Sequence, residues 1–128
     1  GSAVAKFIKS KKAAEKLVVV HDELDLPLGR AKISFNKSSG GHRGVESIKK
    51  AVGTEAFVRL RIGISPSTPS GKLKKPTGEE KVNAFILGKL KAADVAELKK
   101  LSKKLNESLG LLITESREVA TNVCNTNS

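Results

Sequence analysis

The apolar stretch Leu17–Val20, followed directly by a cluster of carboxylates, constrains this chain more than any other feature. Consecutive apolar residues without alternation are typical of a strand that is buried on both faces of a sheet. We therefore expect an interior strand of an open α/β sheet, with strands on both sides and helices on both faces. Asp22, Glu23 and Asp25 come next, and the carboxyl ends of strands are where such sheets bind ligands. The sequence thus predicts a site at this strand end.

A glycine-containing loop predicts the second wall of that site. Ser38–Gly41 leads through His42 and Arg43 into an apolar-periodic helix, so the loop offers backbone N–H groups and a helix N-terminus to an anion. The loop lacks the Gly-Lys-Ser/Thr of a P-loop and the spacing of a dinucleotide-binding fingerprint. Taken alone, it is also compatible with an ordinary tight turn between a strand and a helix.

Periodicity along the chain predicts an α/β fold, a single domain built around a twisted mixed β-sheet flanked by helices. The predicted strands are 17–21, 30–35 and 58–64, and the predicted helices are 3–16, 45–52, 93–113 and one that ends at Gly88. Sheets contain about five or six strands on average, and three strands do not surround an interior one. We therefore expect a segment outside this chain, or a second chain, to complete the sheet.

The charge balance favours a polyanionic partner. The 128 residues hold 24 Lys and Arg against 13 Asp and Glu, a formal net charge of +11, which suits nucleic acid or an anionic membrane surface. A solubilising lysine surface would look the same. Four Phe and no Trp or Tyr leave few rings on which bases could stack, so nucleic-acid binding would have to use phosphates and shape.

The remaining composition predicts a compartment. The single Cys124 lies in a polar segment and cannot form an intramolecular disulfide, which favours a reducing, cytoplasmic location. The sequence has no run of 18 apolar residues and no signal-peptide pattern, so we expect no membrane partner. Residues 122–128 are polar and are predicted to be a disordered tail.

Several segments, taken in order, resemble the bacterial-type peptidyl-tRNA hydrolases. They are HDELDLPLG at 21–29, GGHRG at 40–44, RLRIGIS at 59–65 and KVNAFILGKL at 81–90. The resemblance runs from Gly1 to about Thr121, and the first segment is highly specific. The family pattern begins with a strand, a turn and a catalytic histidine that are not found here, so the resemblance implies an N-terminally incomplete domain. The family also has an asparagine where this chain has Arg43.

The resemblance implies the fold above and an esterase that cleaves peptide from the tRNA 3′ ribose, with no metal or organic cofactor. Asp22 would orient the family's catalytic histidine, the general base for the attacking water. Gly41, His42 and Arg43 would bind the 3′ end of the tRNA and the start of the peptide. Lys32 and Arg61 would contact the tRNA acceptor arm, and the protein would be a monomer.

Other functions remain open on the sequence alone. Asp22 could serve only as a local turn or helix cap, and Arg43 with the basic surface could belong to a non-catalytic RNA-binding protein on the same fold. His42 could act as a substitute base, although the resemblance makes it a residue that only lines the site. A metal-dependent hydrolase using His21, Asp22, Asp25 and His42 is the weakest alternative, because no two of them have the spacing of a known ligand motif.

Overall fold

A computed structural model of the chain describes residues 1–67, 70–88 and 91–126. The helices are α1 (Ser2–Ala5), α2 (Lys11–Ala14), α3 (Arg43–Val52), α4 (Glu79–Leu87), α5 (Ala92–Thr114) and α6 (Arg117–Thr126). The strands are β1 (Val18–Pro27), β2 (Ala31–Phe35) and β3 (Val58–Ser65). No helix in the described ranges is long and apolar enough to span a bilayer.

The strands form a mixed sheet in the order β1-β3-β2, which confirms the predicted sheet type. β1 runs parallel to β3, with Val18 opposite Val58 and Glu23 opposite Gly63. β2 runs antiparallel to β3. Among the described residues β3 is the central strand and β1 lies at an edge, so these residues do not supply the second neighbour expected beside Leu17–Val20. Val20 accordingly keeps 49% of its surface exposed.

The two faces of the sheet differ in chemistry because side chains alternate along each strand. Val58 and Leu60 of β3 belong to an apolar face, which packs with α5 and α6 into the main core. Arg59 and Arg61 point to the opposite face, beside the polar side chains of β1 and β2. The core residues buried below 5% exposure are Ala31, Ile33, Val58, Leu60, Leu101, Ala120 and Cys124. The leucines of α5 that lie in or against this core include Leu98, Leu101, Leu105, Leu109 and Leu112.

The structure corrects both ends of the predicted element map. The helix expected over 3–16 is two single-turn helices, because the Ser10 side chain accepts a hydrogen bond from Ala13 N–H (3.0 Å) and starts a new helix. Phe7, between these two helices, is 83% exposed. The disordered tail expected over 122–128 is wrong for residues 122–126, which belong to α6 and include the fully buried Cys124. Residues 127–128 lie outside the described ranges.

β1 is longer than the predicted strand 17–21, because it continues through the acidic segment to Pro27. Its register against β3 shifts between Glu23 and Pro27. The two strands approach so closely there that a Cβ atom on Gly63 would lie 2.0 Å from the carbonyl oxygen of Pro27. Only glycine fits at residue 63, since heavy atoms cannot approach so closely. Asp25 lies on the irregular part of the strand, at the edge of the site.

Candidate functional site

The two predicted walls of the site enclose a cleft of about 500 Å³, a volume in the range of ligand pockets. The carboxyl half of β1 forms one wall, the glycine loop and the start of α3 form the second, and the segment before α4 forms the third. The lining residues are Asp22, Glu23, Leu24, Asp25, Ser39, Gly40, Gly41, His42, Arg43, Gly44, Lys75, Pro76, Thr77, Gly78 and Val82.

Asp22 and His42 form the central pair of the cleft. His42 Nε2 lies 3.0 Å from Asp22 Oδ1, and His42 Nδ1 accepts a hydrogen bond from Val45 N–H at 3.2 Å. Because Nδ1 accepts, the ring proton of neutral His42 is on Nε2, and Nε2–H donates to the carboxylate. His42 therefore caps the N-terminus of α3 and also donates a hydrogen bond to Asp22. The Asp22 side chain remains 38% exposed.

The glycine loop owes its shape to positive backbone dihedrals and a local hydrogen-bond chain. Gly40 and Gly41 have φ values of 63° and 89°, which L side chains rarely adopt. The Ser39 hydroxyl donates to Glu46 at 2.6 Å and accepts from Gly41 N–H at 3.1 Å. This chain of contacts ties the loop to the first turn of α3. The loop thus presents its backbone beside Asp22.

His21 lies behind this pair, as expected for a strand neighbour that faces the other side from Asp22. Its Nδ1 lies 2.7 Å from the carbonyl oxygen of Asp22, and its Nε2 lies 3.2 Å from Arg59 Nη1. Its ring meets that of His42 edge-on, with 4.6 Å between centroids. Burial lowers the pKa of His21 below its usual 6.5; the hydrogen bond to the Asp22 carbonyl opposes this shift, and the electrostatic effects of the nearby His42 and Arg59 add to it.

Arg59 is the residue whose role the sequence misses most clearly. The alternating strand pattern makes it a candidate phosphate contact beside Arg61, but its exposure is only 3%. Its Nη2 donates to the carbonyl oxygen of Ser38 at 2.7 Å. Burial lowers the pKa of its guanidinium from the usual value, and the charge of Arg61 adds to that effect. A buried cation cannot meet an RNA phosphate without rearrangement.

Arg61 and Lys32 differ in how available they are. Arg61 Nε donates to Glu23 Oε1 at 2.7 Å, and its Nη1 donates to the Ser34 hydroxyl at 3.1 Å. Only 20% of the Arg61 side chain and 8% of the Glu23 side chain are exposed. Lys32 is exposed and is paired with Arg61 across the two strands. The structure therefore places both predicted tRNA contacts together but leaves Lys32 as the more accessible cation.

Two further cations lie at the cleft. Arg43 is the exposed first residue of α3 and lines the wall next to His42. Lys75, from the segment before α4, forms an ion pair with Asp25 on β1. That ion pair joins two walls of the cleft at the protein surface. Glu23 and Asp25 thus both form ion pairs, with Arg61 and Lys75 respectively.

Metal binding finds no support in the described ranges. Among residues 1–67, 70–88 and 91–126, His, Cys, Asp and Glu side chains do not gather in groups of three or more suited to a metal ion. His21 and His42 each have both ring nitrogens in protein hydrogen bonds.

Comparison with known proteins shows which family the chain belongs to. The family model described as peptidyl-tRNA hydrolase matches residues 1–128. The chain belongs to the peptidyl-tRNA hydrolase family. The relatives include a peptidyl-tRNA hydrolase from Aquifex aeolicus, 38% identical over 98% of this chain and 61% of that protein. Another, from Hydrogenobaculum, is 36% identical over 100% of this chain and 64% of that protein.

Solved structures agree with the family assignment. The crystal structure of peptidyl-tRNA hydrolase from Acinetobacter baumannii matches with a TM-score of 0.74 and 27% identity, over 96% of this chain and 57% of that one. The predicted α/β fold is therefore confirmed. The chain spans a little under two thirds of the length of these curated relatives.

Proposed function

We propose that the protein to which this chain belongs hydrolyses the ester between peptide and tRNA, and that the cleft at Asp22 is its active site. The observation that carries the proposal is the position of Asp22 in a family member. Its carboxylate is held by His42 on one side, is 38% exposed, and lies beside a loop with backbone N–H groups. A carboxylate so placed can orient a histidine that activates water, as the acid of a catalytic triad does.

Neither histidine of this chain is suited to be the general base. A base needs an unprotonated nitrogen that can reach the water, but Val45 N–H occupies Nδ1 of His42 and Asp22 accepts from Nε2. In His21, Arg59 occupies Nε2. Hydrolysis therefore requires a base outside these two residues. It follows that the 128-residue chain alone should not hydrolyse peptidyl-tRNA at an enzymatic rate.

The glycine loop is proposed to hold the reacting end of the substrate. The N-terminus of α3 carries partial positive charge that favours a phosphate or a developing oxyanion. Gly41, His42 and Arg43 all lie at this end, and Arg43 adds a planar cation where the family pattern has asparagine. We propose that Arg43 contacts the terminal phosphate of the tRNA.

The remaining parts of the proposal concern partners. Lys32 and Arg61 are proposed contacts of the tRNA acceptor arm, supported by their adjacency on β2 and β3. The reaction is proposed to need no metal or organic cofactor, because water, a histidine base and Asp22 suffice for ester hydrolysis. A monomeric state and a cytoplasmic location are also proposals, the latter resting on the single Cys124.

Replacing Asp22 tests the proposal. In the complete protein, Asp22→Asn keeps an oxygen that can accept from His42 but removes the charge that would orient and stabilise a protonated base. We expect kcat for peptidyl-tRNA to fall by about 10²- to 10⁴-fold. Glu118→Gln, on the exposed surface of α6, is a control of the same chemical kind.

Three outcomes decide the assignment. A large loss in Asp22→Asn with a normal Glu118→Gln supports it. An active Asp22→Asn protein would remove Asp22 from the mechanism. If the unmodified complete protein binds tRNA but does not turn over peptidyl-tRNA, the protein is instead an RNA-binding member of the fold.

A further inference from the structure

Arg59 is a buried cation that the proposed chemistry does not use. It lies on β3 with 3% of its surface exposed, and both ends of its guanidinium are engaged. Nη1 contacts His21 Nε2 at 3.2 Å, and Nη2 donates to the carbonyl oxygen of Ser38 at 2.7 Å. Burying a charge is costly unless it is compensated, and here these two contacts and the nearby carboxylates of Glu23 and Glu55 favour the charged guanidinium.

The contact with His21 fixes the proton of that imidazole. A guanidinium donates and cannot accept, so Nε2 of His21 must be the acceptor and Nδ1 must carry the proton. Nδ1–H then donates to the backbone carbonyl of Asp22 at 2.7 Å. The same ring lies edge-on to His42, which is the hydrogen-bond partner of the Asp22 carboxylate. Arg59 thus acts on the backbone and on the partner of the proposed catalytic aspartate.

The contact with Ser38 fixes the glycine loop from its other side. Within the loop, Ser39 bonds Gly41 and Glu46, so those contacts tie the loop to α3. The Arg59–Ser38 bond ties it to the sheet, which carries Asp22 on β1. One guanidinium therefore spans the two walls of the cleft from behind.

We propose that Arg59 is a positioning residue: by holding His21 and Ser38 together, it sets the glycine loop and His42 against Asp22. It lines no part of the cleft, so it acts through these neighbours and not on a substrate. The consequence for hydrolysis rests on the proposed function. The consequence for loop order and for the His21 tautomer does not.

A first test needs no variant. In the 128-residue chain labelled with ¹⁵N, long-range correlation spectra at neutral pH report which imidazole nitrogen carries the proton. His21 is expected to show a protonated Nδ1 and an unprotonated Nε2, and His42 the reverse. A His21 ring protonated on Nε2 would overturn the proposal directly, because Nε2 could not then accept from Arg59.

A second test uses Arg59→Lys, with Arg61→Lys as its matched control. Lysine keeps the charge but cannot reach two acceptors in a fixed fork. Amide exchange at Gly41 and Val45 is expected to accelerate about tenfold, the scale of one lost hydrogen bond to a charged group. Arg61→Lys changes the neighbouring arginine, which bonds Glu23 and Ser34 and not the loop, and should leave these two amides as they are.

Turnover of peptidyl-tRNA provides a third, separate test. In the complete protein, Arg59→Lys is expected to lower peptidyl-tRNA turnover about tenfold, matching the loop-opening effect. Unchanged loop exchange, or faster loop exchange with unchanged turnover, would overturn the positioning role. An inactive unmodified protein would contradict the proposed function instead, while the tautomer and exchange results would still decide the structural role of Arg59.

Discussion

His21 is the residue at which the structure makes acidity a determinant of stability. Burial lowers its pKa in the folded chain, whereas the unfolded chain keeps a value near 6.5. As pH falls, the unfolded chain therefore takes up the proton first. Among the groups around this ring, Arg59 and His42 disfavour a charge on His21, whereas the Asp22 carbonyl and Glu23 favour it, and the net direction is set by burial.

The first prediction at this scale concerns unfolding. The contribution of neutral His21 should be fully present above about pH 6.5 and lost as pH falls from there through the folded-state pKa, by about 1.4 kcal/mol per unit of lowering. Urea unfolding between about pH 7.5 and 5 measures it. His21→Gln, whose amide oxygen can accept from Arg59 without titrating, should have a flatter profile. Equal slopes for the two chains would rule His21 out as the cause.

The sequence alone could predict that two of the walls of the cleft lie close together. Asp22 follows an apolar strand, and Gly41, His42 and Arg43 precede a helix, so their meeting at one sheet end follows from how α/β sheets are built. The burial of the Arg59 side chain could not be predicted. Whether an arginine on an alternating strand faces solvent or a buried acceptor depends on its neighbours on other strands, which local periodicity does not encode.

At the scale of elements, one side chain of α6 pairs with the edge of β2 in the way that a neighbouring strand would, in addition to the apolar contacts of α6 with the core. Asn125 Oδ1 accepts from Ile33 N–H at 2.8 Å, and Asn125 Nδ2 donates to Ile33 C=O at 3.2 Å. These are the two groups with which a neighbouring strand would pair. The amide of Asn125 therefore closes the outer edge of β2 at a residue whose exposure is only 3%.

A second prediction follows for this contact. Asn125→Ala should lower the free energy of unfolding by about 1–3 kcal/mol, because both backbone groups of Ile33 lose their partner. Asn122→Ala removes the same side chain from an exposed position of the same helix and should change stability by less than about 0.5 kcal/mol. Chemical denaturation of the two variants gives the comparison. Similar losses in both would mean that helix propensity, and not the edge contact, is responsible.

The helices and strands show where local sequence patterns do not determine the structure. Long periodic segments, such as α5, and the alternation of β2 and β3 were predictable because they repeat one pattern over many residues. The break at Ser10 and the helix over residues 122–126 were not, since the first depends on a specific capping contact and the second on the contact of Asn125 together with the burial of Cys124. Ser10 caps α2 and Asn125 pairs with β2, and both residues read as loop formers in isolation.

At the scale of the whole molecule, the net charge of +11 and the scarcity of aromatic rings make phosphates the expected RNA contacts. We predict that tRNA affinity falls steeply with salt. If about four to six phosphates are contacted, log K should fall against log salt with a slope of about −4 to −5, by analogy with B-DNA. Fluorescence anisotropy across a salt series measures that slope, and a flat series would contradict the proposed mode of binding.

Lys32 provides the residue-resolved control for that measurement. Lys32→Ala should reduce the slope by about one, whereas Lys32→Arg keeps the charge and should leave the slope unchanged. Equal slopes for all three proteins would remove Lys32 from the RNA-binding surface. Arg61 is less suitable, because its ion pair with the buried Glu23 makes its removal a test of folding as well.

The order of the sheet was the part of the architecture that the sequence could not supply. An apolar strand predicts burial but does not say which strands lie beside it, and among the described residues β3 is the central strand. The completion of the sheet by further strands stays a prediction, made from the apolar stretch Leu17–Val20 and the number of strands, and the 49% exposure of Val20 agrees with it.

The close approach of Pro27 to Gly63 limits the evolutionary routes open to this sequence. A single change at residue 63, even to alanine, meets the backbone of another strand and finds no side chain that can move aside. Variation there becomes accessible only after the bend in β1 has itself been altered, so the two positions can change in one order but not in the other. An invariant glycine at residue 63 would then reflect a steric clash with the backbone of β1. Because this residue lies close to the cleft, the same invariance could be mistaken for a sign of a catalytic role.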